Sequence, residues 1–171
     1  AFQTNSESYV EWVDIFHRLI EAGYYLVATE ITPDTANPIL GGLLHYGSSG
    51  RFMLLINAPG GDLYSGAALV DCLRSRESGI YTVVLGIAAS VAYLLAITAT
   101  GRYGMPHCRL IHHGIEGGKA GRVGLIARSS SQFHRLAQLL LGPAEHAHGA
   151  SGALVLTGGE AILLGLLSSL L

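Results

Sequence analysis

From Ile80 to Gly101 the sequence runs for about twenty residues without a charged side chain, nominally the length that crosses a bilayer. A segment like this cannot lie on a water-facing surface, so the fold must hide it. It divides into IYTVVLG, IAAS and VAYLLAITATG. The first piece is β-branched and ends at Gly86, and the last is helix-prone after a small-residue turn. That pattern predicts a buried strand followed by a buried helix rather than a membrane span.

Hiding two adjacent elements takes a sizeable core, and 171 residues supply one such domain but not two. Half of the residues are hydrophobic and 13% are charged, against about 25% charged in an average soluble domain. A chain so poor in charge is expected to bury surface against copies of itself or close relatives. The net charge of -2, with no basic run and no basic-aromatic interleaving, argues against nucleic acid as a partner. Cys72 and Cys108 form neither a disulfide framework nor a zinc spacing, which fits a reducing compartment. No charged segment with an apolar follow-on opens the sequence, so no signal peptide is expected; a transit peptide already removed stays open.

Apolar spacing predicts a helix over about 9–22, capped by Ser6 or Ser8 and placing Trp12 and Phe16 on one face. A strand over 24–28 and a helix over 35–46 come after it. The continuous apolar run FMLLIN, 52–57, predicts a strand in a sheet with helices on both faces. Next come a helix over 64–74, a strand over 81–85, a turn at Ala88-Ala89-Ser90 and a helix to about Thr98. A strand over 109–112, a helix over 125–141 and a short helix over 160–164 complete the chain. This alternation of strand and helix predicts one α/β domain built from right-handed crossovers.

Three features fall at the ends of predicted strands, where α/β sheets gather catalytic groups. Asn57-Ala58-Pro59-Gly60-Gly61 is either a plain turn or a backbone that turns amides toward a developing oxyanion. Ser90, at a strand-to-helix junction, is either an N-cap or a hydroxyl exposed at a helix N-terminus. His112 and His113 end a short apolar strand, where one imidazole can serve a serine as base. Neighbouring strand residues face opposite ways, so only one of the two can do so. Nothing in these motifs calls for a metal or a cofactor: Glu116 stands near the histidines, but glycines flank it on both sides.

The segments LLINAPGGDLYSGAALVDCL, GIAASVAYLLA, MPHCRLIHHGIEGG and GEAILLGLL resemble successive blocks of the ClpP family, in the family's order. DIFHRLIEAGYYLVATEIT resembles its first helix and first strand. The resemblance implies a crotonase-like spiral of ββα units forming a single domain over 1–171, with an N-terminal segment over about 1–8 and a handle region over about 114–141. It implies Ser90 as nucleophile, His113 as base, and Gly61 and Val91 as the residues whose N–H groups form the oxyanion hole. It further implies heptameric rings, paired as a tetradecamer of like or mixed subunits. A Clp unfoldase ATPase would feed unfolded polypeptide into the chamber, in a cytoplasm or in the matrix or stroma of a mitochondrion or plastid.

One departure stands out. The family places an aspartate shortly before a Ser-x-x-Glu-Ala block. Here that block reads Thr157-Gly158-Gly159-Glu160-Ala161, no acid occurs over 149–156, and the aspartate's place falls on Ala153. Glu145 could stand in only along a different local path, and a neutral His148 cannot stabilise an imidazolium by charge. Loss of the orienting acid costs a Ser-His-Asp triad about 10⁴ in kcat. Two expectations therefore stand together: a Clp-type serine peptidase subunit using the Ser90–His113 pair, and a non-catalytic, ClpR-like subunit of a mixed ring. A Ser-Lys peptidase using Lys119, the only lysine, and an acyl-CoA enzyme of the crotonase superfamily fit the residues less well.

Overall fold

The computed structural model describes residues 2–6, 9–46, 52–76, 79–112 and 154–171. Strands β1 (Phe2–Ser6) and β2 (Tyr9–Val13) pair antiparallel as a separate hairpin. Helix α1 (Ile15–Glu21), strand β3 (Tyr24–Val27), helix α2 (Pro33–Tyr46) and strand β4 (Phe52–Ala58) succeed it. Next come helix α3 (Leu63–Arg74), strand β5 (Ile80–Ala89), helix α4 (Val91–Thr98) and strands β6 (Gly101–Gly104) and β7 (Arg109–His112). Strand β8 (Leu154–Thr157), helix α5 (Gly158–Leu163) and strand β9 (Ser169–Leu170) complete the described elements.

Strands β3 to β9 form one sheet in the order β3-β4-β5-β6-β9, with β7 also paired to β5 and β8 to β7. Its pairs are parallel except β7 with β8. Parallel pairing needs crossovers. Helices α2, α3 and α4 supply them, each stacked on the next. Phe52, Leu54, Ile56 and Ala58 join buried residues of these helices in one core cluster. On the other side of β4, Met53 and Leu55 are half-buried and Asn57 is exposed. Helical cover on both faces, expected from the apolar run, is thus seen on one among the described residues. Alternation was hidden because the half-buried face is apolar too.

The helices start where local chemistry starts them. Pro33 occupies the first position of α2, where a missing N–H costs nothing. Thr32 and Thr35 exchange side-chain-to-amide bonds of 2.8 and 3.3 Å just there. The Asp62 carboxylate caps α3, accepting from the amide and hydroxyl of Ser65 at 2.8 and 2.6 Å. Helix α4 buries every residue from Val91 to Ile97, as a helix apolar all round must. The hydroxyl of Thr82 in β5 ties it to the sheet, donating to the carbonyl of Ala96 at 2.7 Å.

Several expectations need correction. The helix expected over 9–22 is strand β2 followed by α1. Tyr9-Val10-Glu11-Trp12-Val13 is aromatic and β-branched, so it favours a strand, and the carboxylate of Asp14, not Ser6 or Ser8, caps the helix by accepting from Phe16 N–H at 3.2 Å. Trp12 and Phe16 accordingly share no helix face. Gly86 does not end β5, which continues to Ala89. Strands β1, β6, β8 and β9 were not expected at all. The expected helix over 125–141 and handle over 114–141 lie outside the described residues. The segment from Ile80 is a buried strand and then a buried helix, and among the described residues no helix is long and apolar enough to cross a membrane.

Candidate active site

The site is made by a change of register in β5. Its first half pairs regularly with β4, from Phe52↔Ile80 to Ile56↔Val84, and with β6, from Tyr81↔Gly101 to Val84↔Gly104. Then β4 advances by two residues, from Ile56 to Ala58, while β5 advances by four, from Val84 to Ala88. Such a bulge bends a strand and re-aims the residues beyond it. Asn57 sits inside it, its Oδ1 accepting from the N–H of Ile87 at 3.1 Å. A Cβ on Gly86 would lie 2.7 Å from that oxygen, so a side chain there would displace the Asn57 amide. Beyond the bulge β5 has a new neighbour: Ile87, Ala88 and Ala89 pair with Arg109, Leu110 and Ile111 of β7.

Ser90 comes next, with φ 55° and ψ −126°. Among the described residues it is the only non-glycine with positive φ, a conformation that costs about 1–3 kcal/mol. Its N–H donates to the carbonyl of Ile111 at 3.0 Å, and its own carbonyl accepts from Tyr93 N–H at 3.0 Å. The neighbours Ala88 and Ala92, fully buried, leave room for so sharp a turn. An N-cap residue sits in the extended region with its side chain turned back over the helix. Ser90 holds the N-cap position of α4 but does neither and makes no side-chain cap bond. A serine on a sharp, strained strand-to-helix turn has the backbone arrangement that a nucleophile elbow uses.

The turn after β4 closes over it. Gly60 and Gly61 have φ of 102° and 145°, and a Cβ on Gly60 would stand 2.7 Å from Ser90 Cβ. Ile31 N–H donates to Gly60 O at 2.7 Å and Asp62 N–H to Ile31 O at 2.6 Å. That bridge straddles Gly61 and leaves its own N–H directed away from Ile31. Val91 opens α4, so its N–H is one of the four a helix leaves without an internal partner. Among the described residues no turn, loop or cap bond takes either amide.

Histidine 112 ends β7 with its ring 5.3 Å from that of the buried Tyr93 on α4. His113 is the next residue in sequence and lies outside the described residues, as do Lys119, Glu145, His148 and Ala153. Strand β8 runs antiparallel beside β7, pairing His112 with Leu154 and Arg109 with Thr157, and so delivers the chain to α5. There Thr157 and Glu160 make a reciprocal capping box: Thr157 Oγ1 accepts from Glu160 N–H at 3.2 Å and Thr157 N–H donates to Glu160 Oε2 at 2.8 Å. Threonine thus fills the serine's structural role. The bonds from Thr157 hold the Glu160 carboxyl below its ordinary range and commit it to the cap. Cys108 fills a notch against Gly104 and Gly158, its thiol pushed up by burial. Both cysteines are free, and among the described residues no three metal-ligating side chains gather.

Sequence reasoning counted Asn57 in the turn after β4 and missed its bond to Ile87. Its signal was present, since an isolated glycine inside a strand pattern marks a bulge, and Gly86 was read instead as a terminator.

A family model described as Clp protease matches residues 5–153. The ATP-dependent Clp protease proteolytic subunit of Pleurastrum terricola is 30% identical over 135 residues, covering 76% of this chain and 69% of the relative. That of Ostreococcus tauri is 29% identical over 145 residues, covering 82% and 72%. The ATP-dependent Clp protease proteolytic subunit 2 of Prochlorococcus marinus (strain MIT 9312) is 32% identical over 126 residues, covering 71% and 62%.

Proposed function

The chain belongs to the Clp protease family, a family of serine peptidase subunits with the crotonase-like α/β fold; on that premise we propose that Ser90 is its nucleophile and His113 its base, with the N–H groups of Gly61 and Val91 as the oxyanion hole. The observation that carries the reading is the strained conformation of Ser90 beneath the Gly60-Gly61 turn. Strain at one non-glycine residue persists only where the surroundings enforce it, and such residues cluster at functional sites. The choice of His113 over its neighbour is supported by the packing of the His112 ring against Tyr93.

In this mechanism Ser90 Oγ attacks the carbonyl carbon of a peptide bond while the proton passes to His113. The carbonyl oxygen gains negative charge and is met by the two amides. Collapse of the tetrahedral species expels the amine, which takes the proton back from His113, and water then hydrolyses the acyl-serine by the same route. Unfolded polypeptide is the substrate, delivered by a Clp unfoldase ATPase to a chamber of two heptameric rings. The low charge content and the exposed Phe16, Tyr64, Leu163 and Leu164 support burial against other subunits. The relatives among algae and cyanobacteria fit an organelle matrix or stroma, or a cytoplasm.

A second reading, a non-catalytic subunit of a mixed ring, is favoured by the acid. Glu160 is occupied by its cap and Asp62 by Ser65, and no acid occurs over 149–156. A fluorophosphonate probe applied to the assembled complex separates the two. Covalent modification mapped to Ser90, and absent from Ser90→Ala, supports the peptidase. An assembled complex that takes no label at this subunit supports the non-catalytic role.

A further inference from the structure

We propose that Asn57 is a positioning residue for the nucleophile: its side chain holds the β5 bulge open and thereby sets the direction in which Ser90 points. The inference rests on the peptidase reading but is carried by geometry of its own. Without the two extra residues, β5 would continue in its first register, beside β6, and Ser90 would not reach the end of β7. The extra residues leave the Ile87 amide opposite the side chain of Asn57 rather than a β4 carbonyl, and Oδ1 takes that bond at 3.1 Å. Ile87 is the first residue of β5 paired with β7. The Asn57 bond is thus placed at the point where the strand changes partners, three residues before Ser90.

Further observations fit. Gly86 has no Cβ where one would meet Asn57 Oδ1 at 2.7 Å, so the pair interlocks. Asn57 is exposed, on the more open side of β4, so apolar burial does not account for an amide side chain there. Ala58 then pairs with Ala88, restoring the ladder just before the elbow. Asn57 also leads directly into Pro59-Gly60-Gly61, so one residue ties the oxyanion turn to the nucleophile's strand.

The test compares wild type, Asn57→Ala and Asn57→Asp as assembled complexes, the aspartate keeping an acceptor of the same shape. The readouts are the rate of fluorophosphonate modification of Ser90 and hydrogen exchange at the Ile87 amide. Asn57→Ala is expected to lower the maximal labelling rate by about tenfold to a hundredfold, with little change in the probe concentration giving half-maximal rate, and to speed exchange at Ile87. Asn57→Asp is expected to recover most of both. Equal labelling rates in wild type and Asn57→Ala, or an aspartate variant as slow as the alanine, would overturn the proposal. If the wild type itself resists labelling, the peptidase reading falls and exchange decides alone: faster exchange at Ile87 in Asn57→Ala upholds the bulge-holding role, and unchanged exchange overturns it.

Discussion

The two halves of β5 obey different rules. Before the bulge, from Tyr81 to Val84, the strand pairs on both sides without interruption, Val83 and Val84 are buried, and Thr82 satisfies its hydroxyl on α4. Nothing there is strained. After the bulge, from Ile87 to Ser90, a side chain replaces a backbone acceptor, the neighbouring strand changes, and a non-glycine residue takes positive φ. The first half lowers the free energy of the fold, and the second spends part of that stability to hold a hydroxyl where a helix and a glycine turn meet. Stability and activity should therefore respond separately to substitutions on the two sides.

The sharpest separation is expected at Leu54, whose side chain lies in the core beside the first half. Leu54→Ala should cost about 2–5 kcal/mol in denaturant unfolding, while chains that remain folded and assembled label at Ser90 as the wild type does. Loss of labelling in well-folded Leu54→Ala would break the comparison. Gly60→Ala acts on the other side. Its Cβ would press on Ser90 from a backbone that favours glycine, so labelling should fall by on the order of 10²-fold. The smallest effect is the most pointed. Ser90→Gly removes the proposed nucleophile and the strain together, so labelling should vanish while unfolding free energy rises by about 1 kcal/mol. A destabilised glycine variant would mean that Ser90 is not strained.

Much of the fold could be read in advance, for a definite reason. Helices α2 to α4 and strands β3, β4 and β7 are apolar runs bounded by glycine, proline or a capping side chain, so local chemistry and tertiary structure agree. The N-terminal error came from weighing helical spacing over the β-branched and aromatic content of 9–13. Strand β6 could not be seen: in Gly-Arg-Tyr-Gly only the tyrosine favours a strand, and the segment is extended through its pairing with β5 and β9. At the site, Ser90 and the Gly60-Gly61 turn were legible as residue types. The positive φ of Ser90 and the bond from Ile87 to Asn57 were not, because both arise from the register of two strands 30 residues apart in sequence.

The C-terminal region makes the complementary point. Threonine stands at 157 where the family block has serine, and it caps α5 in a reciprocal pair with Glu160. The missing acid over 149–156 is a different matter, since no such substitution restores charge. Decay and conservative change sit within a few residues of each other, and only the hydrogen bonds tell them apart.

The most direct measurement is a crystal structure of the assembled complex after reaction with a fluorophosphonate. The phosphonyl group is expected on Ser90 Oγ, with its oxygen about 3 Å from the nitrogens of both Gly61 and Val91 and the serine still at positive φ. An adduct whose oxygen faces solvent with neither amide in reach, or a serine relaxed to ordinary helical geometry, would contradict the link drawn here between the β5 bulge and catalysis.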